Sequence, residues 1–180
     1  MPLACTETVA VALSHFPELQ DVHIQVRFKH AFSPLSTRPS WGNIFRAKKN
    51  RLYIITISNK SITALNPILF EHLDEAAKRG VIGHELSHVS DFHKMTWWQL
   101  LHTGIGHLSP AFLDRFEYRT DSICIAHGLG NELLAWSVFV RQALHITNWR
   151  GANNIQQQDN GKERYMNPVT IERILNIQAK

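Results

Sequence analysis

The spacing of apolar positions changes along the chain and predicts its elements. From Thr8 to Leu19 it is helical, ending at or shortly after Phe16-Pro17. From Val22 to Phe28 it becomes alternating, with Val22, Ile24, Val26 and Phe28 between polar or charged neighbours, as in a half-buried strand. Ser33 to Gly42 holds two prolines and a glycine and reads as a loop. Leu52 to Ser58 (LYIITIS) is rich in β-branched and aromatic residues and reads as a second strand.

Helical spacing then takes over. Asn66-Pro67 opens this territory, because an Asn cap followed by proline suits a helix start. The main helix is expected from Asp74 to Phe92, with Ala77, Val81, Ile82, Leu86 and Val89 on its apolar positions. Ser109-Pro110 starts another helix, which Gly128 to Gly130 stops. Asn131 to Ile146 is a further, strongly apolar helix. The polar stretch from Asn148 to Arg164 reads as a mobile loop, and Asn167-Pro168 starts a short closing helix. There is no internal repeat. Strands followed by a run of helices argue for an α+β fold with a small sheet and a mainly helical C-terminal part. Residues 1–147 carry the principal unit, and residues 148–180 are expected to belong to the same domain.

Composition narrows the class. A chain of 180 residues, 44% of them hydrophobic, suits one domain with a real core. Its longest apolar run, Leu133 to Val140, is less than half of what a bilayer-spanning helix needs. Met1 to Ala10 lack the basic start and sustained apolar region of a secretory signal, so a cytoplasmic location is expected. Cys5 and Cys124 make no disulfide framework. The net charge of +4 is mild and its densest cluster, Arg46 to Arg51, reads as a solvated turn; nucleic acid is not an expected partner.

The chemistry concentrates in His84-Glu85-Leu86-Ser87-His88, an H-E-x-x-H pattern in the middle of the main helix. Residues four apart lie one turn above each other, about 6 Å between side-chain roots. Both imidazoles can therefore reach one zinc ion at about 2.0–2.1 Å. Glu85, about 100° around the helix from His84, stays off the metal and is free to act as base on a water. A catalytic zinc site usually has three protein ligands. The metzincin extension fails, since Asp91 stands at its glycine position and Lys94 at its third histidine. Glu117 and Asp121, spaced i and i+4 on the 110–127 helix, are the better source. One carboxylate can bind zinc while the other accepts the spare N–H of a ligand histidine.

A motif helix followed by a second helix bearing E-x-x-x-D resembles the gluzincin metallopeptidases, and the small size resembles the soluble minigluzincins related to the CAAX-processing enzymes. The resemblance covers roughly residues 50 to 130 and implies a zincin-like fold. It implies His84, His88 and Glu117 as zinc ligands, Glu85 as general base and Asp121 as the outer aspartate. It implies hydrolysis of a peptide or protein held in extended form against an edge strand, for which Leu52 to Ser58 is the matching segment. The membrane helices of the CAAX-processing enzymes are absent, and an aromatic, histidine-rich insert separates His88 from Glu117.

The oxyanion needs a donor besides the metal. His145, His127, Tyr118 and Tyr165 are candidates. His145 ranks first, because it lies near the end of the helix after Glu117, where related enzymes often carry such a donor. Trp97-Trp98 reads as core packing in preference to a lipid- or partner-touching patch, so membrane contact is not expected. His102 and His107 read as structural or solvent-facing. The glutamine-rich loop could fold over the cleft. The sequence thus points to a zinc metalloendopeptidase, the alternative being a catalytically silent zinc-binding scaffold of the same fold.

Overall fold

A computed structural model describes residues 3–152 and 162–178. Helix α1 (Leu3–Ser14) is followed by strands β1 (His23–Lys29), β2 (Leu35–Pro39) and β3 (Leu52–Ser58). Helices α2 (Glu75–Lys94), α3 (Trp97–Gly106), α4 (Pro110–Ala126), α5 (Gly130–Leu144) and α6 (Pro168–Gln178) complete the α+β fold. The glutamines expected to fold over the cleft, at 156–158, lie outside the described residues.

The sheet is mixed, in the order β1-β3-β2, with β1 parallel and β2 antiparallel to β3. Two sequence expectations are corrected here. Leu52–Ser58 is the central strand, not the edge; Tyr53, Ile55 and Ile57 are fully buried, as a strand flanked on both sides requires. The segment expected to be a loop contains the edge strand β2. Prolines at 34 and 39 disguise it, yet an edge strand tolerates proline where no N–H is needed for pairing.

That condition can be checked residue by residue. Ser58 N–H donates to Pro34 O (2.7 Å) and Ser40 N–H to Leu52 O (2.8 Å). Hydrogen-bonded pairs alternate along an antiparallel ladder. Ser36 and Arg38, in register with Thr56 and Ile54, therefore turn their backbone groups towards β3. Leu35, Thr37 and Pro39 turn theirs towards the free edge, so Pro39 forfeits no bond within the sheet.

Helix α2 runs through the middle of the molecule and packs against α1, α4, α5 and β2. Asp74 caps it, its carboxylate accepting from Ala77 N–H at 2.7 Å. Every position from Gly80 to Phe92 is buried, so the helix has no solvent face along that stretch. Gly80 permits the tightest approach: a Cβ there would stand 2.1 Å from the Glu132 carbonyl oxygen at the start of α5.

Other boundaries moved for local reasons. The first helix stops at Ser14, and Phe16 and Leu19 enter the core from the short turn that follows. Asn66-Pro67 opens no α-helix but sits in a 3₁₀ segment, Thr63–Ile68. The insert between His88 and Glu117 forms α3, closed at its start by a reciprocal Thr96–Gln99 capping box. Trp98 is 66% exposed, which corrects its expected burial; Trp97 is half-buried. Trp149, Met166 and Ile171 join the same hydrophobic core as Cys5 and Phe16, so the described part of 148–180 packs with the rest. No helix among the described residues is long and apolar enough to cross a membrane.

Candidate metal centre

Helices α2 and α4 cross so that His84 and His88 on the first face Glu117 on the second. Nε2 of His84 and Nε2 of His88 each lie 3.2 Å from the same oxygen, Oε2 of Glu117. One donor atom from each of the three residues lies within 4.8 Å of the others, close enough to hold one metal ion. The residues fit such an ion by their unmet bonding as well. Glu117 Oε2 is buried and accepts no hydrogen bond despite two imidazole nitrogens at contact distance. A buried carboxylate oxygen without a partner is costly unless a cation completes it.

The outer partners fix which nitrogen faces inward. His84 Nδ1–H donates to Asp121 Oδ1 at 2.8 Å. His88 Nδ1–H donates to Thr120 Oγ1 at 3.2 Å, while the Thr120 hydroxyl donates to the Phe116 carbonyl at 3.0 Å. Both rings then carry their proton on Nδ1 and leave Nε2 as a lone-pair donor toward the shared point. Asp121 is itself held from the other side, accepting Met166 N–H on Oδ2 at 2.7 Å.

The electrostatics favour a cation at that point. Burial disfavours a charged His84, but the hydrogen bond to Asp121 and the nearby Asp121 and Glu117 carboxylates outweigh it and raise the imidazole well above its ordinary range. Burial likewise works against an ionised Glu117, yet the two imidazoles hold its carboxyl far below the usual carboxylate range. The field that would attract a proton to Nε2 equally attracts a metal ion.

Glu85 points into the same space. Its Oε2 is buried without a hydrogen-bond partner, and Glu85 lines a cavity of about 210 Å³ together with His84, His88, Glu117, Tyr165, and Leu35 to Thr37 of β2. A smaller recess of about 50 Å³ continues past Tyr165 to Trp136, Trp149 and Ile68. At the other end, a cavity of about 250 Å³ continues along Thr37 to Pro39 and is walled by Trp41, Phe92, Leu100 and His107. The middle cavity shares Leu35 and Tyr165 with the recess, and Thr37, Phe92 and His107 with the third, so the three follow one another as a cleft along β2.

The first-ranked oxyanion donor is corrected. His145 is exposed, in the left-handed conformation (φ 53°) that ends α5, and lines none of these cavities. His127 is committed elsewhere, with Nε2 on Glu18 Oε1 (3.0 Å) and Nδ1 on the Ile123 carbonyl (2.8 Å). Tyr118 lines a separate groove beside Arg115 and Arg119. Tyr165 is the candidate that reaches the site, its ring centroid 5.6 Å from that of His84. Arg141 grips the carbonyls of Tyr165 and Met166 at 3.3 Å, and the Asp121–Met166 bond fixes the next residue. Burial and the charges of Glu117, Glu85 and Asp121 push the Tyr165 phenol well above its ordinary range, so it stays a hydrogen-bond donor.

Thr120 and Met166 lay outside the sequence reading, and His107, expected to be structural or solvent-facing, lines the cleft. Thr120 precedes Asp121 and sits three residues after Glu117, a spacing that puts it on the same helix face. His107 Nδ1–H donates to Thr103 O at 2.7 Å, and its Nε2 is free of that bond. Met166 N–H has no sequence signature at all. No family model, curated protein or solved structure matches the chain.

Proposed function

We propose that this protein is a zinc-dependent metalloendopeptidase of the gluzincin type, acting on peptides bound in extended form. The observation that carries the reading is the convergence of two histidine Nε2 atoms on one Glu117 oxygen, beside a Glu85 whose Oε2 is buried without a hydrogen-bond partner. Two atoms each about 2.0–2.1 Å from a tetrahedral zinc stand about 3.3 Å apart, and each histidine Nε2 stands 3.2 Å from Glu117 Oε2, with all three donors within 4.8 Å of one another. Three protein ligands with a neighbouring cleft match the composition of a catalytic rather than a structural zinc site. A bound zinc supplies Lewis acidity, which polarises a carbonyl and makes water nucleophilic near neutral pH.

The chain's own residues supply the rest. Glu85 takes the proton of the attacking water and returns it to the leaving amine. Tyr165 donates its phenolic O–H to the oxygen of the attacked carbonyl as negative charge builds there. Leu35 and Thr37 turn backbone N–H and C=O groups, and Pro39 a carbonyl, to the outer edge of β2; the Leu35 carbonyl also accepts from Ser33 Oγ at 2.7 Å and the Pro39 carbonyl from Arg38 Nη1 at 3.2 Å. An extended substrate can hydrogen-bond to these as an added strand. The pairing orients the scissile bond across the helix that carries His84, Glu85 and His88.

The test has two readouts. Protein purified from metal-replete medium should contain about one zinc per chain. A peptide library should be cut by the wild type and left intact by Glu85→Gln, with zinc retained in both. Zinc-free protein, or identical digestion by the two proteins, would sink the proposal.

A further inference from the structure

We propose that helix α3 and the 41–49 segment together form a face that docks onto an anionic phospholipid surface. Scattered exposed apolar residues are normal. Here five large ones gather in two short stretches: Trp41 (50% exposed), Phe45 (67%), Trp98 (66%), Ile105 (68%) and Leu108 (85%).

The two stretches are contiguous in space. Trp41 lies over α3 at Gly104, where a Cβ would stand 3.3 Å from the indole Cη2. Phe45 meets Trp97 edge-on with ring centroids 5.3 Å apart, and Trp97 stacks on Trp98 at 3.8 Å. Helix α3 buries Leu100 and Thr103 on its inner side. Trp98 and Ile105, seven residues apart and so about 20° apart around the axis, point away from that side. An apolar strip thus runs from Trp41 and Phe45 across Trp97 to Trp98 and Ile105, and Leu108 follows where the helix ends.

Charge selects the occupant. Arg46, Lys48, Lys49 and Lys94 are exposed beside the strip, and Lys48 Nζ donates to the Lys94 carbonyl at 2.5 Å, joining the 41–49 segment to the end of α2. No Asp or Glu occurs from Val22 to Phe70 or from Phe92 to Leu113, so neither segment building this face carries a carboxylate. Exposed tryptophans and aliphatics rimmed by lysine and arginine suit the boundary between headgroups and acyl chains of an anionic bilayer. Helix α3 has only ten residues, so the loop aromatics and cations complete the footprint. The cavity walled by Trp41, Gly104 and Leu100 borders this face, so docking would hold that end of the cleft at the lipid surface.

The test is co-sedimentation of the purified chain with vesicles of phosphatidylcholine alone or with added phosphatidylserine, alongside tryptophan emission. Wild type should sediment with the phosphatidylserine vesicles, shift its emission to the blue, and release as salt is raised. Trp98→Gln/Ile105→Gln should abolish both signals. Arg46→Gln/Lys49→Gln should lower the partition coefficient about tenfold or more. Val169→Gln/Ile177→Gln, on exposed positions of α6, should bind as wild type does. Circular dichroism of each variant separates lost binding from lost folding. The proposal is overturned if wild type ignores phosphatidylserine vesicles, or if folded face variants bind as wild type. It is equally overturned if the face variants abolish a concentration-dependent dimer while no protein binds vesicles, since the occupant would then be a second copy.

Discussion

Asp121 holds His84 Nδ1 on one carboxylate oxygen at 2.8 Å and the backbone N–H of Met166 on the other at 2.7 Å. One side chain therefore aims a metal ligand and anchors the segment that carries Tyr165. Asp121→Asn keeps the shape but sets an amide N–H₂ against one of two donors. Metal affinity, measured by competition with a chromophoric chelator, should fall about 10–100-fold. A matching loss for Thr120→Val would show that the histidine-orienting bonds, not the negative charge alone, set the affinity.

Metal should also be a folding ligand. Binding to the folded state alone stabilises by about 4 kcal/mol when the free ion exceeds its dissociation constant a thousandfold. Chelator should lower the wild-type melting temperature by several degrees and leave Glu117→Ala almost unmoved, because that variant has already lost a ligand. Differential scanning calorimetry with and without chelator checks it. Equal chelator shifts in both proteins would remove Glu117 from the site.

Tyr165→Phe removes one donor and little volume. On the proposed mechanism it should lower kcat about 10²–10³-fold with a small change in KM and no loss of zinc, whereas His145→Ala should match wild type. Because burial and the neighbouring carboxylates raise the phenol, it remains protonated beyond the ordinary tyrosine value of about 10. The pH–rate profile should therefore show no alkaline limb that is lost in Tyr165→Phe below that value.

The free edge of β2 makes a sharper demand. Thr37 turns its N–H outward, and its neighbour Ser36 is already extended, as a residue before proline must be. Thr37→Pro deletes a single outward donor without touching the β3 ladder. It should raise KM for peptides while zinc content and the circular dichroism spectrum stay as in wild type. An unchanged KM would mean that substrate does not pair with this strand.

Asp114 receives Arg150 on both carboxylate oxygens at 2.9 Å and Arg164 on one at 2.9 Å. Burial alone would raise its pKa, but the hydrogen bonds from Arg164 and Arg150 outweigh burial and lower it. A depressed folded-state pKa gives stability that is present above the unfolded value, about 3.9, and lost as pH falls through the folded value. Asp114→Asn should cost about 2 kcal/mol near neutral pH by removing the negative charge that Arg150 and Arg164 both contact. Urea unfolding should show the difference shrinking as pH falls below the unfolded value and the wild-type carboxyl protonates.

What the sequence disclosed depended on whether the relevant signal was periodic. His84, Glu85 and His88 were legible because one helical turn fixes their relation, and Glu117 and Asp121 because the same period repeats in α4. β2 was hidden, since the prolines that mark a loop are also tolerated on an unpaired edge. Leu52–Ser58 announced a strand, but composition does not tell a centre from an edge. Tyr165 is held at the cleft by the bond from the next residue's N–H, Met166, to Asp121 and by the grip of Arg141, neither of which follows from spacing. His145 failed because the left-handed turn that ends α5 carries it away from the cleft. Trp98 failed because an apolar residue on a short helix carries no mark of which way that helix will face.

Thirteen consecutive positions of α2, Gly80 to Phe92, are buried, and two glycines among them, Gly80 and Gly83, admit neighbouring chain where a Cβ would collide. An ordinary surface helix has a wet side on which substitutions accumulate at little cost. Over these thirteen positions α2 has none, so a substitution there calls for compensating change in α1, α4, α5 or β2. A library randomised along this helix should return few functional clones, even at positions that neither bind metal nor touch a substrate.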